Sequence, residues 1–230
     1  MAAGGLRWQV CADADGLAAA AAQQILAAAR AAIAARGSFH LVLAGGETPL
    51  PVYRRLAVAD AQWRHWHIYF GDERCLPAGD PGRNETAIRR AWLDRSPIPA
   101  AQIHVIGADV DPERAAVRYR EVLRGVARFD LVLLGLGADG HTASLFPGAS
   151  PGTEDVFAVR DAPGPFPVRI TLSPARLRRS RALVFVVAGA SKRATLAAWR
   201  DGAELPAAQV ARGHSNVLIL LDAAADPGRG

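Results

Sequence analysis

Short apolar runs recur along the chain, each closed by glycine or by charged residues and followed by a segment of helical period. Leu131-Val132-Leu133-Leu134 is unbroken, the pattern of a strand buried on both faces of a parallel sheet. Leu41 to Ala44, Leu183 to Ala188 and Val217 to Leu221 read the same way. Arg7 to Cys11, His65 to Phe70 and Ile103 to Val105 add three strands, and Val168 to Leu172 alternates as a strand with one wet face. Between them lie helical patterns. An Ala-rich helix runs from an Asp13 or Asp15 cap to about Arg36, closed by Gly37. Others start at Thr48-Pro49 with Thr48 as cap, at Asn84 as cap through about Leu93, at Pro112 through about Arg124, and at Lys192 through about Trp199. Strands alternating with helices, without an internal repeat, predict an α/β chain. The expected form is a single Rossmann-like three-layer domain over 1–230 with a mostly parallel central sheet.

The polar residues that interrupt this pattern gather where strands end. Gly45-Gly46-Glu47-Thr48 follows one strand, Gly71-Asp72-Glu73-Arg74 another, Gly135 to His141 a third, and Gly189 to Lys192 a fourth. A parallel sheet brings the carboxyl ends of its strands to one edge, which is where such sheets place ligands. The Gly-Gly-x-Thr-Pro turn offers free N–H groups and a hydroxyl, an arrangement suited to an anion. In the third segment Asp139 and His141 supply a carboxylate and the one side chain that titrates near neutrality. Gly135, Gly137 and Gly140 match Gly-x-Gly-x-x-Gly, but dinucleotide binding needs a long helix directly afterwards. Pro147 and Gly148 stop any helix there. His65 and His67 share one strand face without a third ligand nearby, and are read as ordinary strand positions.

Composition narrows the class. Half the residues of this 230-residue chain are hydrophobic, enough for a full core. Gln23, Gln24 and Arg30 break the Ala-rich stretch, and Arg7 and Asp13 interrupt the start, so neither a membrane span nor a signal segment is expected. Cys11 and Cys75 make neither a disulfide framework nor a metal cluster. A cytoplasmic protein without metal or organic cofactor is the expectation. The net charge of +5 comes from scattered arginines, without a basic block, which favours a small acidic ligand over nucleic acid. Lys192 is the chain's one lysine among 27 basic residues. A compact ammonium there suggests a place where a forked guanidinium does not fit.

From about Leu41 to Asp222 the chain resembles the 6-phosphogluconolactonase family. The resemblance is carried by Gly45-Gly46-x-Thr48-Pro49, by Gly71-Asp72-Glu73-Arg74, and above all by Gly135-x-Gly137-x-Asp139-Gly140-His141-Thr142-Ala143-Ser144-Leu145-Phe146-Pro147. Val168 to Leu172 and Gly189-Ala190-Ser191-Lys192 add to it. Glucosamine-6-phosphate deaminases of the same fold group carry Leu-Asp-Glu-Tyr and Ile-Ala-Phe-Asn-Glu where this chain has Gly-Asp-Glu-Arg and Thr-Ala-Ser-Leu-Phe, and so resemble it less. Glu47 stands where the family has a small residue and is expected to turn away from a phosphate. Arg83 stands where Ser is common.

The resemblance implies hydrolysis of 6-phospho-D-glucono-1,5-lactone to 6-phospho-D-gluconate, with a sugar-phosphate lactone as the partner and a monomeric enzyme. His141 would be general base and Asp139 its orienting acid; Ser144 has no nucleophile elbow around it and is read as structural. Gly45, Gly46, Thr48, Asp72, Arg74, Asn84, Gly137, Arg169 and Lys192 would bind substrate. Arg74, Lys192 and the N–H groups near Gly46 and Thr48 face the phosphate, and Arg169 is a weaker candidate. The alternatives are a deaminase-type sugar-phosphate isomerase and a non-catalytic sugar-phosphate sensor. A sensor would need a DNA-binding module, for which the residues before Arg7 leave no room.

Overall fold

The computed structural model describes residues 5–108, 111–149 and 152–228. In chain order its strands and α-helices are β1 (Leu6–Cys11), α1 (Ala14–Arg36), β2 (Phe39–Leu43), α2 (Leu50–Leu56), β3 (Trp66–Phe70), β4 (Asp72–Arg74), α3 (Asn84–Ala91), β5 (Ile103–His104), α4 (Pro112–Leu123), β6 (Leu131–Leu134), β7 (Val156–Val159), β8 (Arg169–Leu172), α5 (Pro174–Arg178), β9 (Leu183–Val187), α6 (Arg193–Arg200), α7 (Pro206–Ala211) and β10 (Val217–Asp222).

Seven strands form one sheet in the order β1-β10-β9-β6-β2-β3-β5, and every pairing in it is parallel. β6, β9 and β10 are buried at every position, which requires cover on both sheet faces. α1 supplies part of that cover with Leu17, Ala18, Ala21, Ala22, Ile25, Ala29 and Ala32. By length and hydropathy alone α1 could cross a membrane. In the fold its small-residue stripe lies on the sheet instead. Asp13 caps it by accepting from the Gly16 N–H at 2.8 Å, and Gly37 ends it at φ 78°. Trp199 of α6 packs edge-on against Phe185 of β9 and Trp8 of β1, with centroids 5.0 and 6.0 Å apart.

Strand order decides where a ligand can sit. From β2 the chain continues to β3 and β5 on one side, while from β6 it continues to β9 and β10 on the other. The loops after β2 and β6 therefore depart in opposite directions and leave a crevice between them, the switch point at which open α/β sheets bind ligands.

Several local expectations are corrected. Thr48 is not a cap: Pro49 holds the cap position of α2 without a side-chain bond, and α2 has only seven residues. Asn84 is the first residue of α3 rather than its cap. The Glu73 carboxylate instead accepts from the Asn84 and Glu85 N–H groups, at 2.7 and 2.8 Å. His65 lies in a 3₁₀ turn before β3, so it does not share a strand face with His67. The charge cluster Asp72–Arg74, read as a loop, is strand β4. It pairs antiparallel with β8, and β8 with β7, in a second three-stranded sheet. That sheet takes Arg169–Leu172 out of the parallel set and brings Asp72, Arg74 and Arg169 to the crevice.

Candidate functional site

The loop after β6 is closed by its own backbone. Gly137 N–H donates to the His141 carbonyl at 2.8 Å, Gly140 N–H to the Gly137 carbonyl at 3.0 Å, and Thr142 Oγ1 to the Gly135 carbonyl at 2.8 Å. Thr195 of α6 ties the Ala138 carbonyl from outside, Oγ1 to O 2.5 Å. Gly137 has a specific reason to be glycine. A Cβ there would stand 2.1 Å from His141 Nδ1 and 2.5 Å from Asp139 Oδ1, inside both atoms' contact radii. Ala143, at φ 49°, is the one non-glycine residue with positive φ among the described residues, and it lies two positions from His141.

This loop clamps the imidazole. Asp139 Oδ1 lies 2.5 Å from His141 Nδ1 and accepts the His141 N–H at 3.1 Å. A carboxylate at Nδ1 selects the tautomer protonated there, which leaves Nε2 as the basic nitrogen. Burial would raise the Asp139 carboxyl, but the His141 N–H, its ring N–H and its charge outweigh that and hold the pKa below the ordinary value. The other edge of the His141 ring rests on Phe146, centroids 4.8 Å apart.

On the facing wall, Tyr53 of α2 accepts from the Ala44 N–H at 3.0 Å and donates to the Ala44 carbonyl at 2.7 Å, pinning the end of β2. The N–H groups of Gly46, Glu47 and Thr48 beyond it have no protein acceptor among the described residues. Gly45 admits Asn84: a Cβ at Gly45 would fall 2.1 Å from Asn84 Oδ1. Asn84 Nδ2 donates to the Asp72 carbonyl and to Asp72 Oδ1, at 3.1 and 3.2 Å. Ser144 Oγ donates to the other Asp72 oxygen at 2.6 Å. Both residues are buried, and Ser144 does not line the cleft. Behind them Glu73 is buried with Arg83. Burial pushes the Glu73 carboxyl up to about 7, against the pull of the Glu85, Arg74 and Asn84 N–H groups and of Arg83.

Arg74, Arg169 and Lys192 bring positive charge to the same space. Among the described residues none of the three forms an ion pair. Arg74 and Arg169 face each other across the β4–β8 ladder. Burial lowers the Arg169 pKa, Asp72 raises it and Arg74 lowers it again, so the three groups feel one another. Lys192 ends a 3₁₀ turn and caps α6. The Asp222 carboxylate orders that turn by accepting the Gly189 N–H at 3.0 and 3.1 Å.

These walls enclose an open cleft of about 450 Å³, a size that suits a small metabolite. Of the eleven predicted site residues, ten line it; Asp139 stands outside, behind His141. Glu47, expected to turn away, is exposed but still borders the cleft. The partners of the organisers were not legible in the sequence. Ser144, read there as structural, reaches Asp72 72 positions away, Asp222 reaches Gly189 33 away, and Glu73 reaches Asn84 and Glu85 11 and 12 away.

A family model described as glucosamine-6-phosphate isomerases/6-phosphogluconolactonase matches residues 12–219. The chain belongs to this family. Within the glucosamine-6-phosphate isomerase/6-phosphogluconolactonase family, it is 40% identical to a 6-phosphogluconolactonase of Mycobacterium tuberculosis, over 91% of this chain and 93% of that one. The structure of 6-phosphogluconolactonase from Thermotoga maritima superposes with a TM-score of 0.88 at 28% identity, covering 94% of this chain and 99% of that one. A monomeric glucosamine-6-phosphate deaminase superposes with a TM-score of 0.85 at 20% identity, covering 95% and 98%. That last likeness concerns the fold alone.

Proposed function

We propose that the chain is a 6-phosphogluconolactonase, a carboxylic ester hydrolase that converts 6-phospho-D-glucono-1,5-lactone to 6-phospho-D-gluconate in the pentose phosphate pathway. The observation that carries this reading is His141, backed by Asp139, on the wall of a cleft that also holds three cations without an ion pair among the described residues. His141 Nε2 takes a proton from a water as its oxygen attacks C1. The tetrahedral oxyanion then collapses, the bond from C1 to the ring oxygen breaks, and that oxygen takes the proton back from His141 as it leaves. The new carboxyl group ionises in water. Asp139 holds the ring and stabilises the imidazolium between the two transfers. The substrate phosphate carries about −1.5 to −2 charges at neutral pH. Arg74, Arg169, Lys192 and the free N–H groups of the Gly46–Thr48 loop are its counter-charges, while Asp72 and Asn84 are placed for the sugar hydroxyls.

The family also contains deaminases. Arg74, which lines the cleft where the deaminases carry Tyr, favours the lactonase. One chain folded as one domain, acting as a monomer in the cytoplasm, completes the reading; both cysteines are free thiols, as a reducing compartment allows. The deciding experiment follows hydrolysis of freshly made 6-phosphogluconolactone with buffer hydrolysis subtracted. Wild-type enzyme should turn it over, and His141→Ala should lose about 10²–10⁴-fold. Steady ammonia release from glucosamine 6-phosphate, without lactone hydrolysis, would replace this reading with the deaminase.

A further inference from the structure

Phe166 lies in the turn joining β7 to β8, closed by the Ala162 N–H donating to the Pro167 carbonyl at 3.0 Å. Its ring covers Gly82 so closely that a Cβ there would stand 3.0 Å from Phe166 Cζ. The Arg74 guanidinium rests on the same ring, its Cζ 5.1 Å from the centroid, while Arg74 Nη1 donates to the Gly82 carbonyl at 2.5 Å. Arg169 is held by the backbone of this turn: Nε donates to the Phe166 carbonyl at 2.9 Å and Nη2 to the Pro163 carbonyl at 3.3 Å. Its guanidinium in turn lies 5.5 Å from the Phe146 ring, which touches His141. Aromatic rings and cations therefore alternate along one rim, from His141 through Phe146, Arg169 and Phe166 to Arg74.

Arg74 and Arg169 are direct cross-strand partners, and like charges so placed repel. Carbonyl oxygens and a ring face hold them there without cancelling their charge, since none of these groups is an anion. The buried Arg74 Nε has no hydrogen-bond partner among the described residues. The pair therefore keeps its positive charge at one side of the cleft, with the Asp72 carboxylate, itself held by Asn84 and Ser144, as the acidic group near Arg169.

We propose that Phe166 is a positioning residue that presents Arg74 and Arg169 as one receptor for a dianionic phosphate, so that the turn 162–167 sets the preference for phosphorylated over unphosphorylated lactones. This rests on the reading that the cleft takes a phosphorylated lactone. Neither residue of the pair can be displaced without the turn, because one is stacked on its ring and the other bonded to its carbonyls.

Three variants test it: Phe166→Ala, Phe166→Leu and Phe166→Tyr, with melting temperatures recorded for each. Kinetics on 6-phosphogluconolactone and on gluconolactone are paired with calorimetric titration of 6-phosphogluconate, which needs no turnover. Phe166→Ala should raise KM for the phosphorylated lactone and the Kd for 6-phosphogluconate roughly two- to fivefold, the worth of a half-exposed cation–π contact. Its kcat should stay within about twofold, so the ratio of the two lactones' kcat/KM should shrink by the KM factor. Phe166→Leu, which fills the space without a π face, should resemble the alanine variant, and Phe166→Tyr should restore wild-type values. A wild-type Phe166→Leu, or equal losses on both lactones, would overturn the positioning role. Wild-type protein that fails to hydrolyse the lactone, while Phe166→Ala still weakens 6-phosphogluconate binding, would remove the hydrolase reading and leave the receptor standing.

Discussion

Asp139→Asn is the sharpest test of the dyad, because it keeps the side chain's shape and removes its charge. The amide can still accept from His141 Nδ1 at the 2.5 Å contact and from the His141 N–H, so the loop should keep its course. What is lost is the attraction between a carboxylate and the imidazolium that forms as the water is deprotonated. Two unit charges 4 Å apart attract by about 1 kcal/mol in water and about 4 kcal/mol at an effective dielectric constant of 20. The Asp139 and His141 side chains are 42% and 32% exposed, which places the pair in the lower half of that range. A loss of about 1–2.5 kcal/mol corresponds to roughly 5- to 70-fold in kcat. The assay is single-turnover hydrolysis of fresh lactone by wild type, Asp139→Asn, His141→Ala and the double variant. If Asp139 acts through His141, the double variant should be no slower than His141→Ala alone. Additive losses, or an Asp139→Asn variant at wild-type rate, would refute the dyad.

Other expectations follow from particular contacts. Gly137→Ala should cost at least about tenfold in kcat with a near-normal melting temperature, since the added methyl must displace the imidazole; an unchanged rate would show that the ring's position is not critical. Glu73→Ala should destabilise the fold by about 3 kcal/mol in urea titration, because Arg83 loses a buried carboxylate and three N–H groups lose their acceptor; a loss under about 1 kcal/mol would count against that network. Away from the cleft, His40, His67 and His104 stack across β2, β3 and β5, with centroids 4.7 Å apart for the first pair and 5.8 Å for the second. Burial lowers all three pKa values; repulsion from His67 adds to this for His40 and His104, while Asp130 partly offsets it at His40 and Arg36 reinforces it. As pH falls through about 6.5 the unfolded chain takes up protons that the folded chain resists, so stability should fall on the acid side and level off above neutrality. His67→Phe keeps the stack without the charge, and its melting temperature should drop less steeply between about pH 7 and 5; an identical slope would dismiss the stack as the cause.

Periodicity alone was enough for the parallel sheet and for most of its helices, because a strand buried on both faces must be apolar throughout and an edge-capped helix must carry Asp, Gly or Pro at its ends. Convergence of the polar loops was legible for the same reason: parallel strands all point one way, so Gly45–Thr48, Gly135–His141 and Gly189–Lys192 had to share an edge. Gly137 and His141 were likewise readable from the local motif. The second sheet was not. β4 and β7 have three and four residues, too short for a period to show, and the pairing of β4 with β8 joins segments nearly a hundred positions apart. The place of Arg169 opposite Arg74 was not legible either, since only the β4–β8 register sets it there. The Thr48 and Asn84 caps failed for a related reason, whereas Asp13 and Gly37 close α1 as expected. Thr48 and Asn84 have the right chemistry for capping, but Glu73, brought in by tertiary packing, takes the N–H groups at the start of α3, and that leaves Asn84's amide free to lean over Gly45 and hold Asp72. Local chemistry names the groups able to make a bond; which partner each one meets is decided by the packing of distant segments, where a buried donor or acceptor must be satisfied by whatever the fold brings within 3 Å.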